Sequence, residues 1–544
     1  MSSTHSSSPP TASHQAAVTD GSGSSAASNN AKLWIFRLLG VVVFFIVWAP
    51  WWGGDLSADA RMVAAIGSLM AVWWMTEAMP LPVTSLLPIV LLPSLTGIEP
   101  ADATAPYANT IVFLFLGGFL IAIAMQKWNL HRRIALLTLR AVGTQPRQII
   151  LGMMIATAFL SMWVSNTATT LMMLPIGLSV LTLVVENSQR NEHTSVDTSS
   201  ITTDLNATQH LSDVIDDPNI RKFGVGLVLS IAWAATIGGL GTLLGSPPNA
   251  IVAGYISKEL DQTVGFAQWM ILGVPIVVVF IAISWLLIVF VIFRFDLKEI
   301  PGGKQLIQKE IDDLGRMSQG EKVVLGVFAA AAFFWIVPGV LSSVPGIKDN
   351  PSWAFLERFD DTVIAITAGV LLFLIPGDKH GNMTLKWKDA ESGLPWGVLL
   401  LFGGGLSLSA AVASTGLDDW FGNQVTGLGT LPLILLLAVV VFIVLMLTEI
   451  TSNTATAAAF IPILGGVAIG LNIDPITLLI PAALAATCAF MLPVGTPPNA
   501  IAFASGHVKI SEMVRGGVIL NVMGVVLITI FTVLLGPWAF GMAF

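Results

Sequence analysis

The chain has 544 residues, of which 54% are hydrophobic and only 11% charged, against about 25% charged in ordinary soluble domains. That composition excludes a conventional soluble enzyme and predicts an all-α polytopic membrane protein, because hydrocarbon admits only segments whose backbone polar groups are satisfied internally. The formal charge of −8 comes from loops, and the single cysteine, Cys488, excludes an intrachain disulfide or a thiolate metal cluster.

Residues 1–30 are Ser-rich and polar, without the basic start and apolar run of a cleaved signal, and read as a disordered cytoplasmic tail. Apolar stretches fit to cross a bilayer, roughly 20 residues each, then recur. They lie at 33–52, 62–79, 81–98, 109–126, 148–185, 224–256, 268–293, 323–342, 362–376, 394–413, 432–471, 476–506 and 515–540. Trp48, Trp51 and Trp52 and the pair Trp73–Trp74 read as interface anchors. The expected organisation is a first half, 31–300, holding a hairpin at 146–185 and a polar insert at 186–223. A cytoplasmic linker, 301–322, leads to a second half, 323–544, with a hairpin at 431–472.

The halves repeat one another. Ser-Asn-Thr-Ala-Thr stands at 165–169 and again at 452–456, an offset of 287 that also aligns Phe115, Gly117 and Gly118 with Phe402, Gly404 and Gly405, and Pro175 with Pro462. Gly245-Ser246-Pro247-Pro248-Asn249 matches Gly495-Thr496-Pro497-Pro498-Asn499 at an offset of 250; the difference of 37 falls where the first half carries its insert. Equivalent ends carry opposite charge, basic from Lys127 to Arg133 and acidic from Gly416 to Trp420. With the N-terminus inside, 21 of the 25 Lys and Arg lie on the cytoplasmic side, all but Arg61, Lys258, Lys348 and Arg358. The positive-inside rule therefore predicts an inverted repeat in the cell membrane, N-terminus cytoplasmic and C-terminus outside.

Each pentapeptide sits midway along an apolar block, 19 residues after Pro146 and 20 after Pro432, as expected of a helical hairpin. The double prolines break two further helices, and non-helical backbone at membrane depth is tolerated only in protein or beside a cavity. Inverted repeats with broken helices are the pattern of a secondary transporter whose site lies between the repeats. Asparagine can coordinate a cation through its side-chain oxygen and bind a carboxylate through its NH2. Ser161 and Thr448, four residues before Ser165 and Ser452, are expected on the same helical face and add hydroxyl oxygen. With carbonyls around Gly245 and Gly495 this gives two oxygen cages suited to an alkali cation. No Lys or Arg lies in or beside these motifs, so a bound anion must be neutralised by cations carried with it and by helix N-termini, which argues for symport. The acids well inside apolar spans are Glu77, read as reaching the interface, and Glu449, for which structural and functional roles stay open. The Gly117–Gly118 and Gly403–Gly405 clusters read as close helix packing. All seven histidines lie in the tail or loops, leaving no candidate for a histidine proton relay.

The paired pentapeptides, the paired Gly-[Ser/Thr]-Pro-Pro-Asn loops and the stretch WWMTEAMPLPVTSLLP, Trp73 to Pro88, resemble the divalent anion/sodium symporter family over residues 33–544. The resemblance implies a homodimer of elevator-type transporters, each with a scaffold and a mobile domain bearing two opposed hairpins. It places one sodium site at Ser161, Ser165, Asn166 and Gly245 and the other at Thr448, Ser452, Asn453 and Gly495. Substrate carboxylates would meet Asn166, Thr167, Ser246, Asn453, Thr454 and Thr496. The implied function is uptake into the cell of small dianions with Na+ as the coupling ion, four-carbon dicarboxylates such as succinate, fumarate and malate first among them. Sulfate or citrate symport and sodium-independent exchange are the alternatives within transport. Exchangers similar to this family lack intact sodium cages; this chain keeps both. A channel could be lined by the same motifs, whereas an enzyme lacks any Asp pair, Ser/His pair or His/Glu cluster at depth, and nucleic acid is not an expected partner. Ser246 stands where the second loop has Thr496, which leaves substrate size open, and nothing assigns a role to the insert.

Overall fold

The structure is a computed structural model that describes residues 22–51, 53, 56–191, 217–297, 303–342, 360–424 and 431–544. Among these residues the regular elements are all helices, apart from one isolated β-bridge between Pro376 and Met383. It opens with α1 (Ser22–Trp48), α2 (Ala58–Thr76), α3 (Leu81–Thr84), α4 (Leu87–Leu95) and α5 (Pro100–Thr104). Next come α6 (Thr110–Lys127), α7 (Leu130–Val142), α8 (Pro146–Ser161), α9 (Asn166–Asn191), α10 (Pro218–Gly238), α11 (Pro247–Glu259) and α12 (Phe266–Leu287). Between the repeats lie α13 (Gly303–Asp313), α14 (Gln319–Ser342), α15 (Asp361–Leu374) and α16 (Trp387–Gly393). The second repeat is α17 (Trp396–Ser414), α18 (Leu417–Gln424), α19 (Leu433–Ile450), α20 (Asn453–Gly470), α21 (Ile476–Thr487), α22 (Pro497–Ala504) and α23 (Ile510–Phe540). The order α6 to α12 thus recurs, element for element, as α17 to α23. Ten helices among the described residues are long and apolar enough to cross a membrane.

Both hairpins form as arm, short turn, arm, and the two double prolines open α11 and α22, where proline's missing N–H is no loss. Some boundaries differ from expectation. The stretch 81–98 divides into α3 and α4, and α1 begins at Ser22, ahead of residue 31. Residues 1–21 of the expected tail and 192–216 of the insert lie outside the described residues. The linker 301–322 contains α13 and the first turn of α14.

The centre of the molecule is helical on all sides. From Phe223 to Gly238 every residue of α10 is buried, and so is every residue of α21; a helix apolar all round must be enclosed. Small residues permit that enclosure. A Cβ on Gly238 would run into the backbone of Ala158 on α8, and one on Gly117 into the backbone of Ala365 on α15. Gly404 likewise faces the backbone of Ser85, and Gly403 faces the ring of Tyr107, so these glycine clusters serve helix packing. One tryptophan departs from the anchor reading: Trp74 is fully buried and donates to Ser85 Oγ at 3.1 Å, because α3 folds back over the end of α2. Trp51, 73% exposed, fits the anchor reading, while Trp52 lies outside the described residues. Glu77 is exposed as the C-cap of α2.

Candidate functional site

The first hairpin turns between Ser161, the last residue of α8, and Asn166, the first of α9. Ser161 Oγ lies 2.6 Å from the Asn166 side-chain oxygen and 2.7 Å from the carbonyl oxygen of Ala235 on α10. One hydroxyl proton cannot serve both acceptors. Turned so that its NH2 takes that position, the Asn166 amide is 2.6 Å from Ser161 Oγ and 3.1 Å from each of the Ala235 and Gly245 carbonyls. Asn166 is therefore surrounded by oxygen from a hydroxyl and two backbone carbonyls, a hard-oxygen donor set of the type alkali and alkaline-earth cations take. The space is set by Gly239: a Cβ there would lie 2.9 Å from both amide atoms of Asn166 and 3.1 Å from Gly245 O.

The second hairpin repeats the motif. Thr448 Oγ1 lies 2.7 Å from Asn453 Oδ1 and 2.8 Å from the carbonyl of Ala486 on α21, again one proton between two acceptors. Asn453 Nδ2 donates to Thr487 O at 3.1 Å. Gly495 flanks this group, with Glu449 O 3.1 Å from where its Cβ would stand.

The half-sites meet. Thr487 Oγ1 donates to Ser246 Oγ at 3.0 Å, so the loop of the first half touches the end of α21 in the second. From Asn166 through Gly245 and Ser246 to Thr487 and Asn453 the polar contacts are continuous, and they bring the N-termini of α9, α11 and α20 to one place. α22 is capped by the equivalent residue, Thr496, whose Oγ1 accepts from Asn499 N–H at 3.4 Å. Helix N-termini present free N–H groups and the positive pole of the dipole, the natural seat of a carboxylate.

The other expected ligands are placed less tightly. The residues that Ser161 and Thr448 meet are five positions on, Asn166 and Asn453, and not Ser165 and Ser452, because the chain leaves the helix between them. Ser165 is exposed and its Oγ accepts from Ala168 N–H at 3.3 Å, while the Ser452 carbonyl accepts from Thr456 N–H at 2.9 Å. Thr167 and Thr454 stand half-buried in the first turns of α9 and α20.

The sequence did not point to Ala235 or Ala486, which act through carbonyls that any residue carries, or to Thr487, which offers both its carbonyl and the hydroxyl that meets Ser246. It could have pointed to two asparagines. Asn249 Nδ2 donates to the carbonyls of Gly239 and Thr242, each at 2.9 Å, and Asn499 Nδ2 to those of Ala489 and Leu492, each at 3.1 Å. All three pairs are related by the same offset of 250. The last residue of each Pro-Pro-Asn motif thus staples the unwound backbone facing the hairpin tip.

The chain is similar to known membrane transporters. The family model described as sodium:sulfate symporter transmembrane region matches residues 31–542. The sodium-dependent dicarboxylate transporter SdcS of Staphylococcus saprophyticus is 43% identical over 518 residues, covering 94% of this chain and 93% of its own. SdcS of Staphylococcus aureus is 41% identical over 507 residues, covering 93% and 91%. Among solved structures, MtrF of Neisseria gonorrhoeae, described as one of a class of antimetabolite efflux pumps, is similar in fold at a TM-score of 0.52 and 12% identity, covering 88% of this chain and 96% of its own. The chain is a multi-pass membrane transporter, not an enzyme, and belongs to the sodium:sulfate symporter family, the divalent anion/sodium symporters.

Proposed function

We propose that this transporter carries small dicarboxylate dianions, four-carbon acids first among them, into the cell together with sodium. The observation that carries the reading is the pair of oxygen cages, Ser161–Asn166–Ala235–Gly245 and Thr448–Asn453–Ala486, that bracket a set of helix N-termini without a cationic side chain in either motif. At about pH 7 both carboxyls of a four-carbon diacid are ionised. A site at membrane depth cannot accept two such charges unless cations enter with them. Sodium in each cage would order the hairpin tip, and the asparagine amides, the hydroxyls of Ser246 and Thr496, and the first N–H groups of α9 and α20 would receive the carboxylates. Close similarity to transporters named for sodium-dependent dicarboxylate transport supports this substrate class over sulfate or citrate.

The finer reading includes a homodimer working by an elevator movement, with the N-terminus cytoplasmic and the C-terminus outside. The charge asymmetry of the loops supports the orientation, and the resemblance supports the dimer and the elevator. Uptake of labelled succinate into proteoliposomes, with an inward sodium gradient or with choline in its place, tests the function. Sodium-dependent uptake, displaced by unlabelled fumarate and malate but not by sulfate, is expected. Equal exchange in choline, or displacement by sulfate alone, would overturn it.

A further inference from the structure

The acid that the sequence leaves without a role, Glu449, is 2% exposed in the last turn of α19, one residue after Thr448. Its carboxylate is satisfied entirely by N–H donors. Phe490 N–H donates to Oε1 at 2.6 Å, Met491 N–H to Oε1 at 3.0 Å and Oε2 at 3.1 Å, and Leu492 N–H to Oε2 at 3.1 Å. Asn521 Nδ2, from α23, donates to Oε1 at 2.7 Å. Three successive N–H groups converging on one anion form a backbone nest, and here the anion is the protein's own side chain.

This contact has a geometric consequence for the second cage. N–H groups drawn toward Glu449 constrain the carbonyls of the same extended loop. Two of those carbonyls, Ala489 and Leu492, are fixed in turn by Asn499. The loop begins directly after Ala486 and Thr487, whose carbonyls receive Thr448 and Asn453. In the first half the equivalent position, 287 residues earlier, is Met162, which has no charge to offer.

We propose that Glu449 is a positioning residue for the second cation site: its carboxylate holds residues 490–492 so that the end of α21 and Gly495 face Thr448 and Asn453. The first cage does not depend on it. The inference rests on the reading of the two cages as sodium sites. Substitution by Gln keeps the size but turns a donor NH2 onto N–H groups, whereas Asp keeps the charge on a shorter stem, and Asn521→Ala leaves the carboxylate and removes one of its partners.

The experiment compares wild type, Glu449→Gln, Glu449→Asp and Asn521→Ala, purified in detergent and reconstituted. Two readouts are taken: the sodium-activation curve of succinate uptake, and the shift in melting temperature that sodium produces over choline. For Glu449→Gln the sodium half-saturation should rise by about tenfold, the loss of roughly 1.4 kcal/mol of binding, and the activation curve should become less sigmoidal. The succinate half-saturation measured at saturating sodium should stay within about twofold of wild type. Glu449→Asp should recover part of the loss, and Asn521→Ala should move the same parameter in the same direction by less. A folded Glu449→Gln protein with wild-type sodium dependence would overturn the proposal. Should Glu449→Gln fail to fold, unchanged sodium dependence in both Glu449→Asp and Asn521→Ala would overturn it equally. Absence of any sodium-induced melting shift in wild type would instead defeat the underlying reading of the cages.

Discussion

Beside Asn166, the backbone leaving α10 stays close to helical: Leu240 N–H donates to Ile237 O at 3.1 Å and Gly241 N–H to Gly238 O at 2.9 Å. Beside Asn453, the backbone leaving α21 is extended from Cys488, and the N–H groups of Phe490, Met491 and Leu492 turn to Glu449 instead. Gly239, against the first hairpin tip, is replaced at the equivalent place by Ala489. The second loop seats a methyl group where the first has no space for one. Identical tip sequences therefore meet backbones held by different means, one by short-range helical bonds and a glycine, the other by a buried carboxylate. A shared pentapeptide fixes which side chains the two cages offer; the surrounding loops fix how firmly each cage is held.

The comparison can be broken most severely at the residues the halves share. Asn166→Ala or Asn453→Ala removes the amide that links hairpin tip to loop, and leaving buried partners unpaired costs about 1–3 kcal/mol. Either variant should lose sodium-driven succinate uptake by roughly 100-fold, the rate equivalent of about 2.7 kcal/mol, while reaching the membrane in normal amount. Normal uptake by either would sink the assignment of both cages.

The staples should respond unequally. Asn249→Ala and Asn499→Ala each remove two hydrogen bonds to buried carbonyls, a loss of about 1–3 kcal/mol, but the second loop keeps its bonds to Glu449. Thermal melting in detergent should therefore show Asn249→Ala as the less stable of the two. Equal melting temperatures would mean that Glu449 does not stiffen its loop.

Glycine specificity sharpens the same contrast. Gly239→Ala places a Cβ 2.9 Å from the Asn166 amide, and overpacking of that kind costs about 1–3 kcal/mol. Sodium half-saturation should rise by roughly tenfold, whereas Ala489→Gly should change it by less than about twofold. The smallest effect is expected of the paired hydroxyls. Ser246→Thr adds, and Thr496→Ser removes, one methyl worth about 0.8 kcal/mol when buried, so succinate affinity in competition assays should move by about fourfold or less. Shifts in opposite directions would place both methyls against substrate; no shift would place them against protein.

Much of the candidate site was legible because its side chains are unusual for their surroundings. Ser161, Asn166, Thr448 and Asn453 are polar residues in apolar stretches, and the offsets of 287 and 250 tie them into two equivalent groups. The oxygen that completes each cage was not legible, since the carbonyls of Ala235, Ala486 and Thr487 leave no trace in residue type. The same holds for Trp74, whose indole suits an interface as well as it suits the buried contact with Ser85.

The amino-acid sequence by itself determined the membrane-spanning class, the repeat, the hairpins and the broken helices, because hydrophobic length, proline and repetition act locally along the chain. Which backbone carbonyls face each asparagine, how Thr487 joins the halves through Ser246, and which N–H groups Glu449 meets depend on tertiary packing. Glu449 and Phe490 are 41 positions apart and Glu449 and Asn521 are 72 apart. Contacts of that separation arise only when α19, α21 and α23 pack together, since a carboxylate buried without a charged partner persists only where packing delivers N–H donors to it.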